Sequence, residues 1–439
     1  MGGHLVRRRQ VRDLWPLELM RARAGQAAPG VDLVRPSTVA EVSDLARSGR
    51  RLVPMGGASG VCGALSPRGH DLVLDLGGLD RVEIDEANLL VTAGAGVNGL
   101  DLERRLNERG LTLGHFPSSL PVAAVGGLVS TRSSGQESTR HGGIEHLVVG
   151  LAVVLADGTV VRARRHAETA AGPPLHQLFV GAEGALGVVV EVVLRIRRLP
   201  ETVIGRGWRL PAVVPGLDVL REAMQRDLRP LVLRLYDPSD SAFQGLDAGC
   251  LLVGATAGPR PVAEAEASVL AEVAAAGGAE PLGEEPWQRW LAHRFDLSAD
   301  RLRDFLEPAG SYLDTIDLAA GWTALPGLYE EVAAHLAGVA GLAMCHFAHA
   351  SAQGCCAYFT FAGSAAGEAE AEAAYLAAWR GTMEAALRRG ATISHHHGVG
   401  QVRAPWIQAE MGGWWTVWDR VRRALDPDGR LGATGMGGG

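Results

Sequence analysis

The stretch AAVGGLVSTRSSG, residues 123–135, decides the predicted fold. Two adjacent glycines follow small apolar residues, and the stretch ends in hydroxyl-bearing side chains and an arginine. Glycine adopts positive φ readily and lets a ligand approach the backbone N–H groups. We therefore expect a strand that runs into a glycine turn, at a place where the backbone can contact a bound cofactor.

Two other segments have the same character, PMGGASG at residues 54–60 and GAEGALGVV at residues 181–189. The first can present N–H groups to a pyrophosphate. Each segment alone is more typical of a plain tight turn, because the chain holds 58 glycines. None matches G-x-G-x-x-G ahead of a helix, so a Rossmann nicotinamide site is not supported.

The composition is that of an ordinary globular protein of two or three domains, with 439 residues, 47% hydrophobic and 21% charged. The 42 basic residues against 49 acidic ones give a formal charge of −7, which argues against a nucleic-acid partner. No apolar run reaches the roughly 18 residues of a membrane span. The arginine-rich start lacks an apolar segment, and five cysteines without CxxC spacing fit reduced thiols. The expected location is cytoplasmic.

The chain contains no lysine. A pyridoxal-phosphate enzyme needs a lysine for its Schiff base, and a Walker-type P-loop uses one on the phosphates. Both classes are excluded. An anionic ligand must therefore be held by arginine, by backbone N–H groups or by helix N-termini.

Short strands and glycine turns alternate up to residue 200, and longer helices alternate with strands after it. This change predicts an α+β fold of two domains, at residues 30–200 and 201–439. In the second domain CCAYFTFAG and ATIS are predicted strands, and residues 362–389 are a predicted long helix.

The order of the motifs is more specific than any one of them. VRPSTVAEV, RLVPMGGASG, AAVGGLVSTRSSG and FVGAEGALGVVVEVVLRI resemble the FAD-binding domain of the vanillyl-alcohol oxidase superfamily. GHFPSS and GATISHHHGVGQVRAPW are similar to one branch, the alkyldihydroxyacetone-phosphate synthases. The resemblance covers most of residues 31–435. It implies a two-domain, PCMH-type FAD-binding fold with a C-terminal α+β substrate (cap) domain, whose last segment returns to the FAD site.

The resemblance also places the FAD contacts on particular residues. They are Pro54, Met55, Gly56, Gly57, Ala58, Ser59 and Gly60; Pro117, Ser118, Ser119 and Ala123; Gly126, Gly127, Ser130, Thr131, Arg132 and Ser133; and Glu183, Gly184, Leu186, Gly187, Val188 and Val189. Family members with covalent flavin often carry a histidine in the first glycine loop or a cysteine near the second. This chain has serine and glycine at 59 and 60 and no cysteine between 63 and 249. We therefore predict non-covalent FAD.

Three consecutive histidines lie in ISHHHGVG, residues 393–400. In an extended chain His395 and His397 would point to one side and His396 to the other. One interpretation is a metal shared with His346 or His349, but a local third ligand is missing and we predict no metal site. The second interpretation is a hydrogen-bonded structural turn. The third follows from the resemblance, in which the three histidines face the flavin and are catalytic.

Three further positions are carried over from the resemblance. CAYFTF matches the strand with the family's catalytic tyrosine, here Tyr358, and RLYD matches an arginine needed for activity, here Arg234. RLRDFL resembles the segment with a substrate-binding arginine, here Arg303. The alternatives are a core aromatic for Tyr358, a surface strand residue for Arg234 and a helix-surface charge for Arg303.

The resemblance implies a reaction of ether-lipid synthesis, in which a fatty alcohol replaces the acyl group of acyl-dihydroxyacetone phosphate through a flavin N5 adduct. Tyr358 with His396 is the expected base, and a neighbouring cation or imidazole must help the phenol to act as one. Arg303 and Arg234 are the expected anion-binding residues. The alternative is an FAD-dependent oxidase or dehydrogenase of a 2-hydroxy acid, or an enzyme with a secondary-metabolism substrate.

The expected partners follow from that reaction. They are a small-molecule or lipid-like substrate, a membrane surface contacted peripherally, and a second copy in a homodimer. The sequence shows no basic amphipathic helix that would support the membrane contact.

Overall fold

The computed structural model describes residues 7–163, 169–296, 299–432 and 435–436. The chain divides into two compact units, and it passes from one to the other four times. The first unit contains the residues up to Ser133, Gly143–Leu199 and the segment from His396 onward. The second contains Ser134–Gly142 and Pro200–His395.

The first unit is built on short strands. These are β1 (Arg7–Gln10), β2 (Gly30–Val34), β3 (Leu52–Met55), β4 (Leu72–Asp75), β5 (Val82–Asp85), β6 (Leu90–Gly94), β7 (Leu111–Thr112), β8 (Val148–Val154), β9 (Val160–Arg162), β10 (Val188–Arg195) and β11 (Arg197–Arg198). They form sheets with the strand orders β1-β2-β4-β3, β5-β6-β10-β8-β9 and β11-β7. β4 pairs in parallel with β2 and β3, and β10 pairs antiparallel with β6 and β8. Because β10 has a neighbour on both sides, its valine-rich sequence is almost wholly buried.

Helices cover these sheets. In this unit they are α1 (Pro16–Arg23), α2 (Val39–Arg47), α3 (Gly99–Asn107), α4 (Val125–Ser130), α6 (Ile144–Leu147), α14 (Gly400–Arg403), α15 (Ile407–Met411) and α16 (Trp414–Leu425). Thr38 caps α2 by accepting the Glu41 N–H at 3.2 Å. Asn98 caps α3 in the same way. In both helices the cap residue directly precedes an apolar-periodic run.

The second unit is built on one antiparallel sheet with the order β15-β12-β14-β13-β17-β18-β16. Its strands are β12 (Thr202–Leu210), β13 (Val232–Tyr236), β14 (Cys250–Gly258), β15 (Glu280–Gly283), β16 (Ser311–Gly321), β17 (Leu342–Ala348) and β18 (Gly354–Ser364). Its helices are α5 (Ser138–His141), α7 (Val213–Gln225), α8 (Pro238–Phe243), α9 (Arg260–Ala276), α10 (Glu285–His293), α11 (Ala299–Leu306), α12 (Leu325–Val339) and α13 (Glu368–Arg388). The core beside β13 and β14 includes Trp287 and Trp290. Gly205 is required there, because a Cβ would overlap the Trp287 ring.

Two local predictions are wrong. Residues 125–130 are the helix α4 and not a strand. The absence of a side chain at Gly126 lets this helix pack against Ala95, since a Cβ on Gly126 would lie 2.6 Å from the Ala95 Cβ. ATIS is not a strand either; only Thr392 bridges to Ala319. The predicted helix at 362–389 begins at Glu368, because β18 continues to Ser364.

The sequence assigns the last segment to the domain at 201–439 and predicts that it returns to the FAD site. Residues from His396 onward pack in the first unit, where Leu431 bridges in parallel to Leu52. Conversely, Ser134–Gly142 packs in the second unit through an ion pair of Arg140 with Glu266 at 3.0 Å. Nothing in the sequence indicated the placement of Ser134–Gly142.

Within the described ranges, no helix combines the length and the apolar character that crossing a bilayer requires.

Candidate cofactor and active site

The glycine segments predicted to bind FAD contact one another within the first unit. A Cβ on Gly57 would overlap the carbonyl oxygen of Val122. The segment 54–60 therefore approaches the segment 117–123 more closely than a side chain would allow. The Glu183 N–H donates to the Ser130 carbonyl at 2.9 Å, which joins the segment 183–189 to the segment 126–133. The predicted contacts therefore meet in one region of the unit.

Three of the predicted cofactor residues have a left-handed backbone. Ala58, Arg132 and Glu183 have φ of 51°, 53° and 49°. Each such non-glycine residue costs about 1–3 kcal/mol, and such residues concentrate at ligand sites. The segment 183–189 also packs against the segment 54–60, since a Cβ on Gly184 would lie 3.0 Å from Pro54 Cγ. Three of the six non-glycine residues with positive φ in the described ranges therefore lie in the segments that the sequence assigns to the cofactor.

The glycine loop at residues 56–60 has backbone N–H groups that are available to a ligand. Within the described part of the chain, the N–H groups of Gly56–Gly60 donate to no other residue, and the loop is partly exposed. Gly127 has open space where a Cβ would stand. A glycine-rich turn with unpaired N–H groups forms an anion-binding concavity. The residues present therefore fit a pyrophosphate such as that of FAD.

The other predicted cofactor residues differ in exposure. Residues 118–122 form a turn. Leu186, Val188 and Val189 are at most 5% exposed, and the two valines belong to the hydrophobic cores of this unit. Their side chains pack against protein, so their main chain is the part left to contact a cofactor.

Glu183 directs its carboxylate at the loop that follows the histidine run. Oε1 accepts the Val399 N–H at 2.5 Å, and Oε2 accepts the Gly400 N–H at 3.0 Å. Burial raises the pKa of Glu183, while these N–H groups and the charge of Arg403 act in the opposite direction. Gly398 has a φ of 83°, and a Cβ there would overlap the carboxylate. The carboxylate thus fixes the backbone of this loop.

Arg403 fixes the same loop from within the core. This fully buried guanidinium donates from Nη1 to Cys62 Sγ at 2.8 Å and to the Gly398 carbonyl at 3.0 Å. The N–H groups of Gln401 and Val402 donate to the Cys62 carbonyl. Cys62, which follows the first glycine segment, is therefore part of a structural contact.

His115 lies beside the predicted cofactor contacts, and the sequence analysis did not identify it. Its Nε2 lies 2.8 Å from the Oγ of Ser133, a predicted cofactor contact, and the imidazole is 1% exposed. Burial lowers the pKa of His115 to about 3, so the ring is neutral at ordinary pH. The motif GHFPSS, which contains His115, was the available sequence signal. No sequence pattern relates this histidine to Ser133, 18 positions later.

Two of the predicted catalytic residues, Tyr358 and Arg234, share one face of the sheet of the second unit with other polar side chains. Tyr236, His346, Tyr358 and Asp317 stand directly opposite one another on the neighbouring strands β13, β17, β18 and β16. Arg234 precedes Tyr236 by two positions and therefore shares this face. We call these five residues the polar row. The antiparallel register brings together residues that are more than a hundred positions apart.

Tyr358 is neutral in this setting. Its ring stacks on His346 at 4.7 Å between centroids, and its hydroxyl donates to Thr315 Oγ1 at 3.0 Å. Burial raises the pKa of Tyr358 well above the ordinary value, and the charge of Asp317 raises it further. Desolvation outweighs the opposing Thr315 hydrogen bond, so the phenol acts as a base only if another group accepts its proton.

His346 is neutral as well and is held by a carboxylate. Its Nδ1 lies 3.2 Å from Asp240 Oδ2. Burial lowers the pKa of His346 to about 4, and the charge of Arg234 adds to this, while Asp240 opposes both. A carboxylate beside Nδ1 favours the tautomer that carries its proton on Nδ1, which leaves Nε2 as an acceptor. The sequence named His346 only as a metal candidate.

Arg234 supplies the fixed cation of the polar row. Its guanidinium lies 5.5 Å from the Tyr236 ring centroid and 5.9 Å from that of Trp290. Its Nε is buried and has no hydrogen-bond partner among the described residues. Aromatic neighbours hold the guanidinium without neutralising it. Arg303 is not part of this row; it lies exposed on α11.

The histidine run is a series of bends and not a strand, so its side chains do not alternate as predicted. In the second unit the His395 N–H donates to Asp317 Oδ2 at 2.9 Å, and its ring stacks on His349 at 4.9 Å. In the first unit the His396 and His397 rings meet edge to face at 4.5 Å. The division between the units falls between His395 and His396.

Similarity to known proteins covers both units. Residues 32–164 match a family described as FAD binding domain, and residues 199–434 match FAD linked oxidases, C-terminal domain. An alkyldihydroxyacetonephosphate synthase of Dictyostelium discoideum is 26% identical over 93% of this chain and 74% of its own length. The FAD-linked oxidoreductase YgcU of Escherichia coli (strain K12) is 32% identical over 86% of this chain and 82% of its own.

A solved structure of alkyldihydroxyacetonephosphate synthase superposes with a TM-score of 0.81 at 22% identity, covering 95% of this chain and 80% of that one. The predicted α+β, two-domain fold of the vanillyl-alcohol oxidase type is confirmed by this match and the family matches. The predicted cofactor FAD is confirmed by the two families. The chain therefore belongs to the FAD-linked oxidases and is an FAD-dependent enzyme similar to alkyldihydroxyacetonephosphate synthase.

Proposed function

We propose that this enzyme exchanges the acyl group of acyl-dihydroxyacetone phosphate for a fatty alcohol, releasing a fatty acid and forming alkyl-dihydroxyacetone phosphate. The observation that carries the proposal is the similarity to the Dictyostelium synthase over 93% of this chain. The polar row supports it, because the exchange needs proton transfer beside a carbonyl and a cation for two anionic groups.

The first unit would hold the cofactor non-covalently. Gly56–Gly60 would bind the pyrophosphate, and Ser130–Ser133 and Glu183–Val189 would contribute further contacts. When bound, FAD supplies an N5 atom that can take part in covalent catalysis. Because the thiol of Cys62 contacts the buried Arg403, it is not placed as a flavin attachment site. Acid precipitation should therefore release all of the yellow chromophore into the supernatant.

Proton transfer would run through neutral groups of the polar row. The raised pKa of Tyr358 keeps its phenol protonated, so it works as a hydrogen-bond donor until another group accepts its proton. His346, neutral and stacked on the same ring, offers an acceptor nitrogen. His395, His396 and His397 are further proton carriers in our proposal, with His396 as partner of Tyr358.

Arginine would hold the anionic parts of the substrate. Arg234 keeps its charge between aromatic rings and has an unpaired Nε among the described residues. We assign it the departing carboxylate or the phosphate, and we assign Arg303 a second contact with the substrate. Because the chain lacks lysine, only arginine supplies a permanent side-chain cation for this role.

The test is anaerobic absorbance of the FAD-loaded protein mixed with palmitoyl-dihydroxyacetone phosphate. We expect the flavin spectrum to change and to return when a fatty alcohol is added, with the alkyl product formed. No spectral change and no alkyl product would exclude this substrate.

A second candidate is an FAD-dependent oxidase or dehydrogenase of a 2-hydroxy acid. The 32% identity with an FAD-linked oxidoreductase favours it, as do neutral imidazoles that can accept a hydroxyl proton. Under this candidate a 2-hydroxy acid alone bleaches the flavin, and oxygen or a dye restores it. Bleaching in the absence of fatty alcohol would separate this function from the exchange reaction.

A further inference from the structure

One serine of the segment Ser134–Gly142 contacts a histidine of the second unit. The Oγ of Ser138 lies 2.5 Å from Nδ1 of His349, although the two residues are 211 positions apart. Ser138 begins the short helix α5, and His349 directly follows β17. Both residues are half-buried. This hydrogen bond belongs neither to the cofactor segments nor to the polar row.

Ion pairs fix the segment on both sides of Ser138. On one side Arg294 pairs with Glu137 at 3.5 Å, and on the other Arg140 pairs with Glu266 at 3.0 Å. All four side chains are at most 19% exposed, so solvent screens these pairs less than it screens surface pairs. α5 has four residues and no capping side chain, so these anchors set the position of the serine.

His349 has a backbone conformation that a side chain rarely adopts. Its φ is 54°, in the left-handed region. Such a residue persists where its surroundings determine it, and such residues concentrate at functional sites. Its ring stacks on that of His395, with 4.9 Å between the centroids and 27° between the planes. The imidazole of His349 is therefore held by its backbone, by Ser138 and by the stacked ring.

His395 connects this pair of rings to the polar row. Its N–H donates to Asp317 Oδ2 at 2.9 Å and to the Asp317 carbonyl at 3.0 Å. Asp317 is fully buried and stands opposite Tyr358 in the register of β16 and β18. Contacts therefore run from Ser138 through His349 and His395 to the polar row, and all of them lie inside the second unit.

We propose that Ser138 is a positioning residue for proton transfer: its hydroxyl fixes the imidazole of His349, and the stacked rings fix that of His395 beside the polar row. A group that transfers a proton must lie within hydrogen-bond reach of its partner, so a freely turning ring would be a poor carrier. A hydroxyl donates to a neutral imidazole and accepts from a protonated one, so Ser138 holds His349 in both states. This role rests on the proposed function, in which His395 carries a proton.

The test compares Ser138→Ala with Ser138→Thr in the FAD-loaded protein. Ser138→Ala should lower kcat of the exchange reaction by about ten- to a hundredfold, as expected when a reacting group is displaced by about 1 Å. KM and the flavin absorbance should stay near the wild-type values. Ser138→Thr keeps the hydroxyl and should restore most of kcat, which a role in packing alone does not predict.

Ser351→Ala is the matched control. The Ser351 hydroxyl donates to the Gly354 carbonyl at 3.1 Å, in the turn that follows His349. The variant makes the same chemical change in a hydrogen-bonded serine of the same unit, but the lost bond goes to the main chain. It should keep both kcat and KM.

A spectroscopic measurement gives a readout that does not depend on turnover. Proton–carbon correlation spectra of protein labelled with carbon-13 at histidine Cε1 report the surroundings of each ring, and His349→Gln and His395→Gln assign the two resonances. Ser138→Ala should shift both resonances, because each ring loses the ring current of the other. Ser138→Thr and Ser351→Ala should shift neither.

Three results would overturn the proposal: wild-type kcat in Ser138→Ala, a His395 resonance that this variant leaves unchanged, or a Ser138→Thr variant as impaired as Ser138→Ala. A wild type without exchange activity would refute the proposed function instead. The His395 resonance would then still decide whether Ser138 positions the pair of rings.

Discussion

In the proposed reaction Tyr358 would act through its hydroxyl, because its ring is fixed by stacking on His346. Tyr358→Phe keeps that stacking and removes the proton donor. We expect turnover of the proposed exchange to fall by about 10²- to 10⁴-fold, the usual contribution of a positioned acid or base, while FAD absorbance per protein stays at the wild-type level. Steady-state product formation checks the first and the flavin spectrum the second.

Tyr312→Phe is the control for this variant. Tyr312 lies in β16 of the same sheet, but its hydroxyl donates to the Val339 carbonyl, outside the polar row. This variant should lose some stability and keep its turnover. Near-normal turnover of Tyr358→Phe, with FAD bound, would remove Tyr358 from the mechanism.

Asp13 makes folding stability depend on pH. Burial raises the pKa of this carboxyl from 3.8 to about 7, although it accepts the N–H groups of Trp15 and Leu65. The native state therefore holds a proton that the unfolded chain has released, so stability falls as pH rises from about 4 to 7. Three pKa units correspond to on the order of 4 kcal/mol.

Asp13→Asn cannot titrate, and its free energy of unfolding should change less between pH 5 and pH 8 than that of the wild type. Urea unfolding at both values measures the difference, and the titrations of all other groups cancel in the comparison. Parallel pH profiles for the two proteins would show that Asp13 is ionised in the native state.

The loop between the histidine run and α14 depends on a glycine. Gly398 and Gly390 both have positive φ, at 83° and 65°, but only at Gly398 would a Cβ overlap the Glu183 carboxylate. Gly390→Ala should cost about 1–2 kcal/mol, the backbone contribution alone. Gly398→Ala should cost several kcal/mol more and weaken FAD binding, as measured by urea midpoints and flavin titration. Equal costs would mean that Glu183 moves aside freely.

The polar row depends on strand register more than on any one side chain. Because side chains alternate along a strand, removing one residue from β17 or β18 turns the following residues to the other face. The sequence predicted β18 as a strand. Pairing partners were not predicted, because nothing local in CHFAHAS or RLYD indicates that His346 faces Tyr236 and Tyr358.

The cofactor region shows the same limit at the level of contacts. The glycine-rich segments at 54–60 and 181–189 are local signals, and the sequence predicted them as cofactor contacts. The Glu183 contact with Val399 spans 216 positions, and the Arg403 contact with Cys62 spans 341. Such contacts follow from the completed fold and leave no local signal in the sequence. The histidine run is therefore predicted to be extended, whereas in the structure it forms bends.

The whole molecule should be stabilised by its cofactor. A ligand that binds only the native state adds about 2.7 kcal/mol at a hundred times its Kd. Stripping FAD should therefore lower the urea midpoint, and adding FAD back should restore it in a concentration-dependent way. A midpoint that is independent of FAD concentration would contradict a native-state binding site in the first unit.

The chain crosses between its two units at 133/134, 142/143, 199/200 and 395/396. Neither unit is therefore a continuous piece of the gene. A single recombination event at residue 200 would give a chimera whose first unit has a foreign strand-bridging tail from residue 396 and whose second unit lacks its own Ser134–Gly142. Transfer of the complete second unit between relatives would require residues 134–142 and 200–395 to be replaced together, in two separate segments.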